Sequence, residues 1–155
     1  MRIFKRIVLA LVVIFVLMQL YRPSRDNPPV DQTKTMEKTM QIPANVQTTL
    51  SRACNDCHSS KTVYPWYSNI APVSWFLASH IEDGRGEMNM SEWATYSAKK
   101  RRRRLEQICE QVNKKEMPLP SYLWLHPDAK LSDADRNLLC DWANAEKAKI
   151  PPRAK

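Results

Sequence analysis

The pentapeptide Cys54-Asn55-Asp56-Cys57-His58 constrains this chain more than any other feature, because the chemistry it suits fixes the relative positions of three side chains. Val46, Leu50, Cys54 and Cys57 recur at spacings of four, four and three, which marks one face of a helix from about Ala44 to Cys57. Thioether bonds to the two vinyl groups of a haem need two thiols projecting from one helical turn, with a histidine beside them to meet the iron. Cys54, Cys57 and His58 meet all three demands. The expectation is one covalently attached haem c, with His58 as an iron ligand. Two other uses of the cysteines fit less well. A thioredoxin-like redox pair wants a strand before the motif within a βαβ unit, whereas the approach here is helical and Gly-poor. A zinc site wants a second ligand pair at close spacing, and Cys109 and Cys140 stand alone.

The run from Cys54 to Trp93, CNDCHSSKTVYPWYSNIAPVSWFLASHIEDGRGEMNMSEW, carries further signals. It resembles the haem-binding domain family, whose members follow C-x-x-C-H with a Tyr/Trp-Pro-Trp-Tyr element, an Ala-Pro-x-Ser-Trp element, a His-x-x-x-Gly-Arg stretch and a Ser-x-Trp. The likeness continues through Met117-Pro118 and Leu131-Ser132 to Trp142. It implies a monohaem, cytochrome-like domain and says little about partner or pathway.

Ahead of this region, basic residues Arg2, Lys5 and Arg6 precede Ile7 to Met18, an uninterrupted apolar run. No small-x-small cleavage site follows, so residues 1-21 are expected to form an uncleaved signal anchor. Such an anchor implies a single pass of the bacterial cytoplasmic (inner) membrane with the haem domain in the periplasm. Residues 22-43 are polar and hold Pro23, Pro28, Pro29 and Pro43 without helical or strand periodicity, and are expected to be a flexible tether. Residues 44-150 then form the haem-binding domain.

Only 2 Gly stand against 11 Pro, a balance that suits helices joined by stiff loops. Pro72 predicts the first turn of a helix running to about Asp83, with Gly84 as its stop. Ser91 predicts the N-cap of a longer helix reaching about Lys115, closed by Met117-Pro118. Ser132 with Asp135 predicts a capping box, ahead of an apolar face of Leu138, Leu139, Trp142 and Ala145. No alternating strand pattern appears. The fold class expected is all-α: an anchor helix, then a small cytochrome c-like helical domain of four helices around one haem.

The order of motif, Met-Pro loop and closing helix is similar to that of small class I cytochromes c, and this likeness implies Met117 as sixth iron ligand. His80, on the helix after the aromatic element, and His126, in a loop before Pro127, are alternatives, as is an open iron site. Tyr64, Trp66, Tyr67, Trp75, Phe76 and Trp93 crowd together, and flat rings cover a haem face well, Trp66 among them. Arg85 is a candidate partner for a propionate, with a solvated arginine as the plain alternative. Lys99 to Arg104, KKRRRR, is expected to be a solvated helix face or a docking surface for an acidic redox partner or anionic lipid. Cys109 and Cys140 are either a disulfide or two buried thiols.

The function expected is electron transfer outside the cytoplasm by a membrane-anchored cytochrome that is not itself an enzyme. No nucleophile or acid/base constellation is present to name as catalytic. A haem-based ligand sensor, a small haem enzyme with open iron, or a structural haem module of a larger respiratory complex are the other uses of the same motif. A redox partner, acidic or membrane-bound, is implied, and nucleic acid is not.

Overall fold

The computed structural model describes residues 1–151. Helix α1 spans Arg2–Met18, 17 residues long. The segment after it holds a 3-10 turn, Gln32–Lys34, and the single-turn α2, Met36–Thr39. Helix α3, Ala44–Ala53, leads into the short α4, Asn55–His58. Helix α5 is Val73–Glu87, α6 is Ala98–Asn113, α7 is Pro120–Leu123 and α8 is Asp133–Lys149. No strand occurs among the described residues, and α3, α5, α6 and α8 are the four principal helices after α1.

The anchor expectation is overturned. No helix among the described residues is long and apolar enough to cross a membrane. At 1.5 Å per residue, the 17 residues of α1 reach about 25 Å. Arg2, Lys5 and Arg6 occupy its first turns, so the apolar part is shorter still against a hydrocarbon layer of about 30 Å. The single-pass inner-membrane location falls with it, and the periplasmic placement of the domain loses the support that the anchor gave it. The C-terminal end of α1 touches the rest of the chain instead. Gln19 Nε2 donates to the Ala71 carbonyl at 3.2 Å, the Ala71 N–H donates to Gln19 Oε1 at 2.9 Å, and Trp75 Nε1 donates to the Tyr21 carbonyl at 2.9 Å.

Part of the expected tether is folded. Met36 is 1% exposed and belongs to the same core as Val46, Leu50, Trp93, Leu105, Leu139 and Trp142. The Trp142 indole reaches back to the Gln41 carbonyl at 3.2 Å. Met40 and Ile42 pack against that core as well, and a few apolar residues scattered in a polar stretch leave little periodicity to read, yet burying one Met side chain is worth roughly 1.5–3 kcal/mol.

Three helix boundaries also differ from expectation. The motif helix breaks at Cys54, whose φ of -128° and ψ of -36° separate α3 from α4. Gly84 does not stop α5, which continues to Glu87. The single helix expected from Ser91 is two pieces: a 3-10 segment, Met90–Thr95, then extended Tyr96, then α6 capped by Ser97 Oγ accepting from the Lys100 N–H. The Asn89 side chain caps the first piece. The capping box at Ser132 and Asp135 forms as expected. The buried face of α8 is Leu139, Trp142, Ala143 and Glu146, with Ala145 turned to solvent. Helices α6 and α8 lie side by side and are joined by a disulfide between Cys109 and Cys140, with Cα atoms 4.5 Å apart.

Candidate functional site

The site begins with the turn at α4. The N–H groups of Cys57 and His58 both donate to the Cys54 carbonyl, at 3.3 and 2.9 Å, so the two cysteines and the histidine belong to one tight turn. Both thiols are free. Burial pushes the Cys54 thiol up to about 12 and the Cys57 thiol up to about 11, the latter helped by the neighbouring Asp56 carboxylate. A thioredoxin-type pair works through a thiol held low, so these buried, protonated thiols argue against disulfide exchange.

His58 is clasped from one side. Its Nδ1 lies 2.9 Å from the Gly84 carbonyl and 3.1 Å from the Met88 carbonyl. Carbonyls only accept, so Nδ1 carries the proton and Nε2 keeps its lone pair for a metal. Burial, and secondarily the positive charge of Arg104, hold the imidazole below its usual range and favour this neutral form. The clasp depends on how closely α5 approaches α4. A Cβ on Gly84 would stand 2.6 Å from the Cys57 carbonyl oxygen, so only glycine fits there. The sequence reading placed Gly84 as a stop; its role is close approach.

Two adjoining cavities open beside this turn. One, of about 280 Å³, is lined by Leu50, Cys54, His58, Met88, Arg104, Gln107, Ile108, Gln111, Val112 and Met117, with Glu87. The other, of about 260 Å³, is lined by Cys54, Cys57, His58, His80, Gly84, Met117, Pro118, Leu119 and Tyr122 among others. Cys54, His58, Glu87 and Met117 line both, so the two are lobes of a single cleft. Each lobe is overwhelmingly apolar, and together they lie in the ~300–1,000 Å³ range of small-ligand and cofactor pockets.

The family model for the haem-binding domain matches residues 13–145. The chain belongs to the haem-binding domain family. No curated protein and no solved structure matches it. The residues of the cleft fit the group that the haem-binding domain family takes: an imidazole with a free Nε2, an apolar two-lobed space, and a thioether side chain reaching the same space. His58 would ligate the iron of such a group, and Cys54 and Cys57 line the same cleft.

Of the residues singled out from sequence, Cys54, Cys57, His58, Met117 and His80 are brought to this cleft. The others are not. His126 accepts or donates at Nε2 with the Tyr67 hydroxyl at 2.6 Å and stacks on Tyr122 with ring centroids 4.1 Å apart. Trp66 is 73% exposed and lines neither lobe. Arg85 also lines neither lobe; its Nε donates to the Ser59 carbonyl and its Nη2 to Asn27 Oδ1 and Thr62 Oγ1, so it ties the loop after the motif to the segment before it. Of the aromatic cluster, Trp93 is fully buried in the helical core and Tyr67 packs beside His126, whereas Trp66 and Phe76 are exposed.

Sequence reasoning missed Asp56, Tyr122, Gln107 and Arg104. Asp56 accepts from the Val63 N–H at 3.0 Å and from the Tyr122 hydroxyl at 2.8 Å, which joins the motif to α7. Burial and this bond push the Tyr122 hydroxyl well above its usual range. Arg104 belongs to the basic run, which proves to be only partly solvated. Arg102 caps the C-terminal end of α8 through the Lys147 and Ile150 carbonyls, Lys100 stands 3.7 Å over the Tyr96 ring, and Arg104 turns into the cleft. Lys99 and Arg103 are exposed.

Proposed function

We propose that this chain is a monohaem c-type cytochrome that carries electrons, its haem attached through thioethers at Cys54 and Cys57 and its iron held by His58 and Met117. The observation that carries the reading is the shared cleft, in which the motif turn and Met117 line the same two lobes. Haem supplies a one-electron iron couple; the protein's work is to hold it and set its surroundings. The Nδ1 clasp of His58 fixes ring orientation and raises ligand basicity, and the apolar walls exclude water. Attachment adds each S–H across a vinyl double bond, so sulfur takes one carbon and the proton the other, with no net oxidation. Thiols kept protonated and apart from disulfide chemistry suit that addition.

A thioether ligand favours ferrous iron and a raised potential, as a carrier needs. His80 supports a second arrangement, because it lines the lobe that Met117 also lines and would make the iron bis-His. The expected partner is an acidic redox protein meeting Lys99 and Arg103. The Cys109–Cys140 bridge favours an oxidising compartment.

The test is covalent haem. Denatured, acid-acetone-extracted protein should retain haem on a peroxidase-stained gel, and its pyridine haemochrome spectrum should be that of two saturated vinyl positions. Cys54→Ser with Cys57→Ser should lose both. Haem that extracts freely from the unaltered chain would refute attachment.

A further inference from the structure

Resting on the haem reading, the next question is what receives the propionates, because a haem brings two carboxylates to a mainly apolar cleft whose charged lining is Asp56, Asp83, Glu87 and a single cation, Arg104. A carboxylate that stays at the wall instead of turning to water is costly without a cation partner. Among the Lys and Arg of the described residues, Arg104 alone lines either lobe. Its side chain is 15% exposed. Nη1 donates to Glu87 Oε2 at 2.6 Å and to Gln107 Oε1 at 2.7 Å. Nε is buried without an acceptor, and Nη2 has none among the described residues.

The two partners of the ion pair are unequal. Glu87 is 70% exposed, so its carboxylate can return to water at little cost, and an exposed pair of this kind contributes little stability. Arg104 is held at the cleft wall by α6 and by Gln107. We propose that Arg104 binds a haem propionate, releasing Glu87 to solvent when the haem is in place. A planar fork with unmet N–H groups matches a carboxylate better than a lysine would. Arg85, the propionate candidate from the sequence, lines neither lobe, and its Nε and Nη2 are engaged by Ser59, Asn27 and Thr62.

The experiment uses the haem-loaded full chain, with haem content fixed first by the pyridine haemochrome spectrum. The propionate bending vibration in resonance Raman rises in frequency when the carboxylate accepts strong hydrogen bonds. Arg104→Leu should lower it and shift the ferric/ferrous equilibrium about tenfold toward ferric, ~59 mV for one electron, since a positive charge near the iron is lost. Arg85→Leu and Glu87→Gln should leave the band in place. Where Arg104→Leu yields no haem protein, Arg104→Lys carries the test, because a point charge in place of a fork also lowers the band. An unmoved band in these Arg104 variants, with haem present, overturns the assignment alone. Absence of haem from the unaltered protein overturns this inference together with the proposed function.

Discussion

Gly84 and Gly86, two residues apart on α5, provide a controlled comparison. Replacing either with Ala removes the conformational cost of a helical glycine, worth about 1 kcal/mol. At Gly86 a Cβ meets nothing within 4 Å, so Gly86→Ala should stabilise the chain by about 1 kcal/mol. At Gly84 the same Cβ would stand 2.6 Å from the Cys57 carbonyl oxygen and 3.1 Å from its carbonyl carbon and Cβ. The obstruction is backbone at the haem motif itself, so α4 and α5 must separate. Overpacking of this kind costs about 1–3 kcal/mol. The single His58 Nδ1–H, shared between the Gly84 and Met88 carbonyls, is weakened with it, at about 1 kcal/mol for that one hydrogen bond. Cost exceeds gain, and Gly84→Ala should destabilise by about 1–3 kcal/mol. For a chain of this size 1 kcal/mol moves Tm by about 2–4 °C, so the two variants should straddle the unaltered protein in a circular-dichroism melt. Haem absorption recorded alongside should change for Gly84→Ala and not for Gly86→Ala. Equal stabilisation by both would show that α5 does not press on the motif turn, and the argument for the His58 clasp would fail.

Three other outcomes follow from the geometry. Cys109→Ser with Cys140→Ser opens a loop spanning 31 positions and should remove about 4 kcal/mol by the chain-entropy relation, read as a lower urea midpoint that reductant then leaves unchanged. Stability of the haem-free chain should fall as pH rises through about 9: the unfolded thiols ionise there, while folded Cys54 and Cys57 hold their protons to about 12 and 11, so folding is favoured below the unfolded value and loses that advantage above it. Urea titrations from pH 8 to 11 on haem-free chain and on Cys54→Ser with Cys57→Ser would show it, and equal slopes in both would refute it. Met117→Ala should abolish the weak far-red charge-transfer band of thioether-bound ferric haem and lower the potential, whereas His80→Ala should preserve the band; the reverse pattern would make the iron bis-His.

The parts legible in sequence share one property: their signal is local. The helical approach to Cys54, the capping box at Ser132 and Asp135, and the four principal helices can each be read within a few turns of chain. What escaped depends on a distant partner. Met36, Met40 and Ile42 look like scattered apolar residues in a tether until they are seen in one cluster with Val46, Leu50 and Trp142. Ser91 looks like a cap for a long helix, but Asn89 and Ser97 each cap a piece, and extended Tyr96 separates them so that its hydroxyl can accept from the Asn89 N–H at 2.8 Å. The apolar run at Ile7 to Met18 is truly helical, yet helical character and apolar character do not make a span without sufficient length.

The same contrast explains the site. The motif names which atoms can hold a haem, but nothing within it orients the imidazole. Orientation comes from the last turn of α5, 26 and 30 residues downstream, through the Gly84 and Met88 carbonyls. Gly84 is therefore two things at once: the residue whose missing side chain lets α5 approach Cys57, and a residue whose carbonyl accepts the His58 Nδ1 hydrogen bond. Arg104 follows the same logic from the other wall. In a run of six basic residues each looks alike, and only the way α6 packs on α8 separates the arginine that faces the cleft beside Glu87 from Arg103, which faces water. Of the 2 glycines in this chain, both on α5, Gly84 is the one at which the helix closes on the motif turn.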